Sequence, residues 1–376
     1  MKRLNILAPT RYPWSFNGPR NSQHNIVRRN FLPLNKISQK IEGITFISPL
    51  GLTKFNLVHG FNRIPLGPTP FVIGFESHLP RAFGYEHSAL FTGMSKILAS
   101  RQCRGIVAIS EFARKNLLSQ HEGRPWFHEL AEKTIVRYPN IIIPQTEDNF
   151  ELKPDEPVKL TFVGNHFARK GGIVAIRLAA LAAEQKIPIQ VDIISSLEVG
   201  ETSWVDPPRP GFFDSDFKKL HTLANIKNHG PLPNGQVLKI LDRSHFLLLP
   251  TFSDTFGFSA IEAMARHTPV IGTTQGCMDE YIHNDENGIL LKLDQKPSGE
   301  WLHLARPDRN SKTYEKIFND ECNRLAEEAL GRIIKYINKP TAYKGLRTKA
   351  YETARSFFSD ADANQFWDNY YLKAMS

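Results

Sequence analysis

A chain of 376 residues, 41% hydrophobic and 23% charged, is too long for one ordinary core and suits two soluble globular domains of about 150 residues each. Its three cysteines, Cys103, Cys277 and Cys322, are odd in number and far apart, which argues against a disulfide framework and a CxxC metal site, and no run approaches the roughly 18 apolar residues that span a bilayer. The net charge of +9 is unevenly divided: residues 1–150 hold 19 Lys/Arg against 9 Asp/Glu (+10) and residues 151–376 hold 28 against 29 (−1), which indicates for the first half either an anionic partner, whether acidic membrane surface, anionic acceptor or nucleic acid, or a plain surface bias that serves solubility.

The N-terminal MKRLNILAPTRYP has only a short apolar run ended by Pro9 and does not read as a signal peptide. A reducing cytosol is the expected location, with a peripheral position on the cytoplasmic face of the membrane open to the basic half. Short apolar runs follow at Leu4 to Ala8, Ile44 to Ile47, Phe55 to His59, Phe71 to Phe75, Gly105 to Ile109 and Thr134 to Arg137. Helical stretches such as Ser88 to Ser100 and Glu111 to Gln120 separate several of them. Runs this short, apolar on both sides and alternating with helices, predict a parallel sheet covered on both faces.

The polar, acidic, proline-bracketed stretch PQTEDNFELKPDEP, 144–157, reads as the linker. After it the rhythm restarts: strand Lys159 to Val163, helix Ile173 to Gln185, strand Gln190 to Ile194, helix Asn234 to Asp242, strand Phe246 to Leu249, helix Ser259 to Arg266 and strand Pro269 to Gly272. The fold class is therefore α/β, with two doubly wound Rossmann-like domains facing a central cleft. The first domain spans 1–150 and the second 151–358. The closing helix 359–376, with Phe366, Trp367, Tyr370 and Tyr371 at helical spacing, is expected to return and pack by its aromatic stripe.

Two strand-to-helix turns carry the chemistry. In SDTFGFSAIEAMARHTPVIG, 253–272, the Phe256-Gly257-Phe258 turn opens a helix whose terminal N–H groups suit a phosphate or sugar oxygen. Glu262, one turn inside, can accept two hydrogen bonds from vicinal hydroxyls such as those of a ribose, and Asp254 can reach hydroxyls at the far end of the same ligand. Equally, Asp254 reads as a plain helix cap and Glu262 as a solvated helix residue. In FVGNHFARKGG, 162–172, Gly164 allows a tight strand exit, and Arg169 and Lys170 offer two cations to a diphosphate. The turn lacks the Gly-Lys-Ser/Thr of a Walker loop and the Gly-x-Gly-x-x-Gly of a nicotinamide site, which argues against an NTPase and a dehydrogenase.

The succession FVGNHFARKGG, HGPLPNGQV and LLLPTFSDTFGFSAIEAMARHTPVIGTTQGCMDEYIHNDENGILL resembles glycosyltransferase family four, retaining enzymes of the two-domain GT-B fold (glycosyl transferases group 1). The resemblance is strong over 158–294 and extends weakly to GIVAISEFARKNL and VRYPNI in the first half. It implies an N-terminal acceptor domain and a C-terminal nucleotide-sugar donor domain. It places the donor ribose on Glu262, the transferred sugar on Asp254, the sugar and phosphate on the amides of Phe256, Gly257 and Phe258, and the departing diphosphate on Lys170 with Arg169 beside it. It counts Gly164 among the donor-binding positions and places the loop around Leu232 near the base. In the first half the family's glycine-bearing loop falls on Asn17, Gly18, Pro19 and Arg20, and its sugar-contacting histidine on His78, with His59 as competitor.

The chain departs from the family at Asp254, where Glu is usual, at Gly164-Asn165, where Gly-Arg is usual, and at His267, where Gly is usual. Arg169 is the candidate to replace the missing cation. The implied reaction moves a sugar from a UDP- or GDP-sugar to a hydroxyl of a glycan or lipid-linked glycan, with no cofactor and no metal required. The DxD sequences at Asp214–Asp216 and Asp360–Asp362 read as chance matches in polar loops. Alternatives are a catalytically silent GT-B binding or scaffold subunit and a GT-B enzyme acting on a protein or nucleic-acid acceptor. The first half shows no basic-aromatic ladder of a nucleic-acid groove.

Overall fold

The computed structural model of the protein describes residues 3–10, 12–34, 41–47, 54–145, 148, 150–153 and 156–376; part of the expected linker, at 146, 147, 149, 154 and 155, lies outside the described residues. The chain divides into two compact units, Met1–Ile142 with Phe357–Ser376, and Ile143–Ser356.

Unit 1 contains β1 (Asn5–Pro9), α1 (Tyr12–Phe16), β2 (Asn25–Arg29), β3 (Leu32–Pro33), β4 (Ile44–Phe46), β5 (Leu57–Phe61), β6 (Ile64–Leu66) and β7 (Phe71–Phe75). It continues with α2 (Ala89–Ala99), β8 (Cys103–Ala108), α3 (Glu111–His121), α4 (Phe127–Lys133) and β9 (Thr134–Val136). Six strands form a parallel sheet in the order β2-β1-β5-β7-β8-β9, and β3-β4-β6 form a small second sheet. The four central strands β1, β5, β7 and β8 are almost wholly buried, as expected where helices cover both faces. Ser88 and Ser110 cap α2 and α3 by accepting the N–H of Phe91 and Ala113, each satisfying one of the amides a helix start leaves open.

Unit 2 contains β10 (Val158–Val163), α5 (Gly172–Glu184), β11 (Ile189–Ile194), α6 (Asp214–Thr222), β12 (Ile226–Asn228), α7 (Asn234–Leu241), β13 (Phe246–Leu249), α8 (Phe258–Met264), β14 (Val270–Thr273) and β15 (Gly288–Leu291). Then come α9 (Lys312–Ile337) and α10 (Pro340–Phe358), whose last two residues belong to unit 1, and α11 (Asp360–Met375) lies wholly in unit 1. The unit 2 sheet is parallel in the order β12-β11-β10-β13-β14-β15. Counted along the chain this is 3-2-1-4-5-6, so the winding reverses between β10 and β13, the place where such sheets open a crevice at the carboxyl ends of the strands. In unit 1 the reversal falls between β1 and β5.

The aromatic stripe of α11 does pack, on the unit 1 sheet. Trp367 and Tyr371 are fully buried against Leu4, Ile6, Leu57, Val72 and Val107. The described part of the expected linker is not a free tether: Asp148 takes a two-nitrogen ion pair from the buried Arg347 of α10 at 2.8–3.0 Å, and Phe150 lies against His245. The DxD sequences sit in the first turns of α6 and α11 rather than in loops, and Asp216 is spent on Arg177 at 2.9–3.0 Å.

Candidate active site

The loops after β10 and β13 meet at the reversal of the unit 2 sheet. Lys170 Nζ donates to Asp254 Oδ2 at 2.7 Å. The other oxygen of Asp254 accepts the N–H of Thr255, and the N–H of Asp254 donates to Oε1 of the buried Gln275, each at 2.9 Å. Burial of Asp254 opposes its ionisation, but Lys170 and Arg169 outweigh it and hold the carboxyl below its ordinary pKa. It is therefore charged at neutral pH. Asp254 is more than an idle helix cap: it is one half of a partly buried ion pair facing the strand ends.

Arg169 is itself buried. Its guanidinium donates to the Ser253 carbonyl and lies 5.5 Å from the ring centroid of Trp204, so it stands behind Asp254 as a fixed cation. Gly164 is needed for a reason other than the strand exit first expected: a Cβ there would come within 2.6 Å of Lys170 Cδ, so the missing side chain makes room for the lysine stem. Gly257 combines a left-handed backbone, φ 82°, with Met278 Cε only 2.5 Å from where a Cβ would be, a place only glycine fills without strain.

Glu262, on α8, is buried rather than solvated, 8% exposed, and its Oε1 accepts from Asn234 Nδ2 at 2.9 Å. Asn234 opens α7, and Leu232 stands half-buried two residues before it. The Phe256 side chain is core, stacked on Tyr281 with centroids 5.2 Å apart, while its carbonyl accepts from the Tyr281 hydroxyl at 2.7 Å, so the side chain is not a ligand contact. Phe258 is half-buried. His267 stacks flat on Tyr351 at 4.1 Å, a packing role for a residue that had no functional account. Sequence reading missed Gln275, Ser253 and Asn234, which lie inside the quoted stretches but carry no charge to single them out, and Trp204, which lies outside them; Trp204, 50% exposed, carried one usable signal, a tryptophan in a polar Gly/Pro-rich loop.

Among the unit 1 candidates, Gly18 is buried with the Trp14 ring against its Cα, and the guanidinium of Arg20 donates to Asn140 Oδ1 and its carbonyl at 3.0 and 2.9 Å, which ties the first loop down. His78 is half-buried, three residues beyond β7. His59 is fully buried, shares a 2.8 Å hydrogen bond with the Tyr371 hydroxyl, and burial drives its pKa down to about 3. It is a core residue and drops out as a competitor. At the reversal of the unit 1 sheet lies a pocket whose walls include Trp14, Phe31, Phe61, Asn62, Glu76 and Arg81. Its charged walls, Arg63, Arg81 and Glu76, are paired: Arg81 reaches Glu76 and also Glu42 behind the wall, and Arg63 pairs with Glu42.

Among the described residues no group of three or more His, Cys, Asp or Glu is arranged to hold a metal ion, and no helix is long and apolar enough to cross a membrane.

Residues 144–297 match the family described as glycosyl transferases group 1. A D-inositol 3-phosphate glycosyltransferase of Arthrobacter sp. (strain FB24) is 27% identical over 151 residues, covering 39% of this chain and 32% of that protein; the chain thus spans about a third of the length of the curated relatives it matches. Two solved structures align over nearly the whole chain, each at 13% identity with a TM-score of 0.58. They are Anabaena HepE in complex with UDP-glucose, covering 98% of this chain and 100% of that one, and a glycosyltransferase from Rickettsia africae, covering 100% of both. Likeness at this identity shows the fold, and the fold is GT-B, two Rossmann-like units. Through residues 144–297, the greater part of unit 2 is similar to the glycosyl transferases group 1 family.

Proposed function

We propose that the protein is a retaining glycosyltransferase that moves a sugar from a UDP- or GDP-sugar to a hydroxyl of a glycan or lipid-linked glycan. The observation that carries the reading is the Lys170–Asp254 pair at the reversal of the unit 2 sheet, backed by Arg169 and accompanied by the buried Glu262. Each group matches a need of such a donor. Glu262, oriented by Asn234, has carboxylate lone pairs for the two ribose hydroxyls. Lys170 and Arg169 supply fixed positive charge in a partly desolvated place, where it stabilises the charge growing on the departing diphosphate and assigns no step to a metal. Asp254, held ionised, accepts from a hydroxyl of the transferred sugar. The acceptor hydroxyl attacks from the face the phosphate leaves, the phosphate oxygen takes its proton, and no protein nucleophile is required.

The binding of UDP-glucose by HepE supports a nucleotide sugar as donor. The aromatic-walled pocket of unit 1, whose charged groups are paired, supports an uncharged sugar ring as acceptor, and the +10 excess of residues 1–150 supports peripheral attachment to an anionic membrane surface on the cytoplasmic side, where lipid-linked acceptors reside.

A thermal-shift panel of UDP, GDP, ADP and their sugar conjugates on wild type and Glu262→Ala tests the donor site. One nucleotide should stabilise the wild type, with affinity falling about 10- to 100-fold in the variant through loss of charge-assisted hydrogen bonds. Lys170→Ala should cut turnover by about 100- to 1,000-fold, well beyond its effect on binding. Stabilisation that persists undiminished in Glu262→Ala would overturn the assignment.

A further inference from the structure

The protein has five tryptophans. Trp14, Trp126, Trp301 and Trp367 are at most 8% exposed, whereas Trp204 is half exposed. A half-exposed indole is ordinary on a mobile loop, but the loop here is fastened on both sides of the ring. Arg309 donates to the carbonyls of Ser203 and Asp206, the Tyr314 hydroxyl donates to the Val205 carbonyl, and the Ala305 N–H donates to the Trp204 carbonyl at 3.1 Å. Ser203, Val205 and Asp206 are all buried. The indole is fixed as well: its Nε1–H donates to Ser253 Oγ at 3.3 Å and the Arg169 guanidinium lies over the ring.

Trp204 therefore touches the two residues that immediately precede Asp254 and Lys170 in sequence, with half of its surface left to solvent. A rigid aromatic surface beside polar anchors is the arrangement that binds the C–H face of a pyranose, because the ring's hydroxyls go to the acid and cation while its apolar face covers the indole.

We infer that Trp204 is a binding residue for the sugar of the nucleotide-sugar donor, stacking on its apolar face while Asp254 takes a hydroxyl. The inference rests on the donor-site reading above and adds a residue and a sugar class to it. Ribose and base are assigned to the Glu262 and Leu232 end and the diphosphate to Lys170 and Arg169, so the face of the indole that Arg169 does not cover is left to the sugar. A pyranose donor sugar is favoured over an open or strongly anionic one, since stacking needs an uncharged C–H face.

The test uses the whole protein, iodide quenching of tryptophan fluorescence, and calorimetric Kd values for UDP, UDP-glucose, GDP and GDP-mannose on wild type, Trp204→Ala and Trp204→Phe. The nucleotide sugar should shield Trp204 from iodide and the matching nucleotide should not. Trp204→Ala should weaken the nucleotide sugar about tenfold, leave the nucleotide Kd within about twofold, and be largely rescued by Trp204→Phe. Equal shielding by nucleotide and nucleotide sugar, or an unchanged nucleotide-sugar Kd in Trp204→Ala, would overturn the inference while leaving the donor site standing. Failure of the wild type to bind any of the four would remove the donor reading and the inference together.

Discussion

The two sheets of this protein reverse their winding at comparable places, yet the two reversal points are built by opposite means. In unit 2 the charges come from two short continuous runs, 164–171 and 250–257, one after each flanking strand. In unit 1 the pocket draws Trp14, Phe31, Phe61, Glu76 and Arg81 from across the first 81 residues, and its charged walls are paired in salt bridges rather than left to face a ligand's charge. A phosphate site needs several donors aimed at one small group, which a single turn can supply. A pocket for a whole ring needs walls, and walls come from many loops. The difference explains why the recognisable family region, 144–297, falls in unit 2 and not in unit 1.

The same contrast governs what could be read from the chain. Strands Phe71–Phe75 and Phe246–Leu249 were legible to the residue because they are continuous apolar runs buried on both faces. The strand β2 was not, since NIVRR is half-exposed and carries two arginines. The helix α9 was missed for a related reason: its buried face, with Phe318, Cys322, Leu325, Ala329 and Ile333, is laced with charges that hide the period. Asp254, Glu262, Lys170 and Arg169 stand in motifs, whereas the Gln275 and Asn234 contacts that orient two of them arise only when distant loops meet.

Gly164→Ala probes the unit 2 turn with the largest expected effect. A Cβ there displaces the Lys170 stem, so turnover should fall at least about tenfold while stability changes by less than about 1 kcal/mol, because the far end of a lysine yields easily. Gly171→Ala is the counterpart. Its φ of 90° and the Pro250 carbonyl 2.3 Å from a Cβ place the cost in folding, and chemical denaturation should register a loss of about 2 kcal/mol or more. If Gly164→Ala retains full turnover, Lys170 is not held by that contact.

In unit 1, Glu76→Gln should remove the nearer of the two carboxylates paired with Arg81, leaving Glu42 at 3.7 Å, and raise the acceptor KM about tenfold without altering stabilisation by the donor nucleotide. Its side chain is 18% exposed and that of Arg81 16%, so the single change should also cost about 1–3 kcal/mol of stability. Pairing it with Arg81→Met should recover most of the stability and none of the KM. Recovery of both would mean that the quartet is a structural clamp and the acceptor lies elsewhere.

The smallest effect on activity, and the sharpest opposition between the units, is in acid stability. His59 of unit 1 titrates near 3 when folded because burial disfavours its charged form. Unfolded chains take up that proton near 6.5, so its contribution to stability is lost as pH falls below about 6.5. Asp206 of unit 2 has the reverse sign. Burial lifts its carboxyl to about 6, and its Oδ1 is buried without a hydrogen-bond partner, while the unfolded acid ionises near 3.8. The folded state then holds the extra proton, and stability declines as pH rises from about 4 to about 6. Asp206→Asn can keep an acceptor for the Gly200 N–H that Oδ2 now takes at 2.9 Å. It should therefore match wild type near pH 4 and exceed it by about 1–3 kcal/mol above pH 6, with turnover unchanged within about twofold. Denaturation curves of the two proteins across that window should diverge with rising pH. Parallel curves would show that Asp206 is ionised in the folded protein, with the Arg169 and Arg309 charges offsetting its burial.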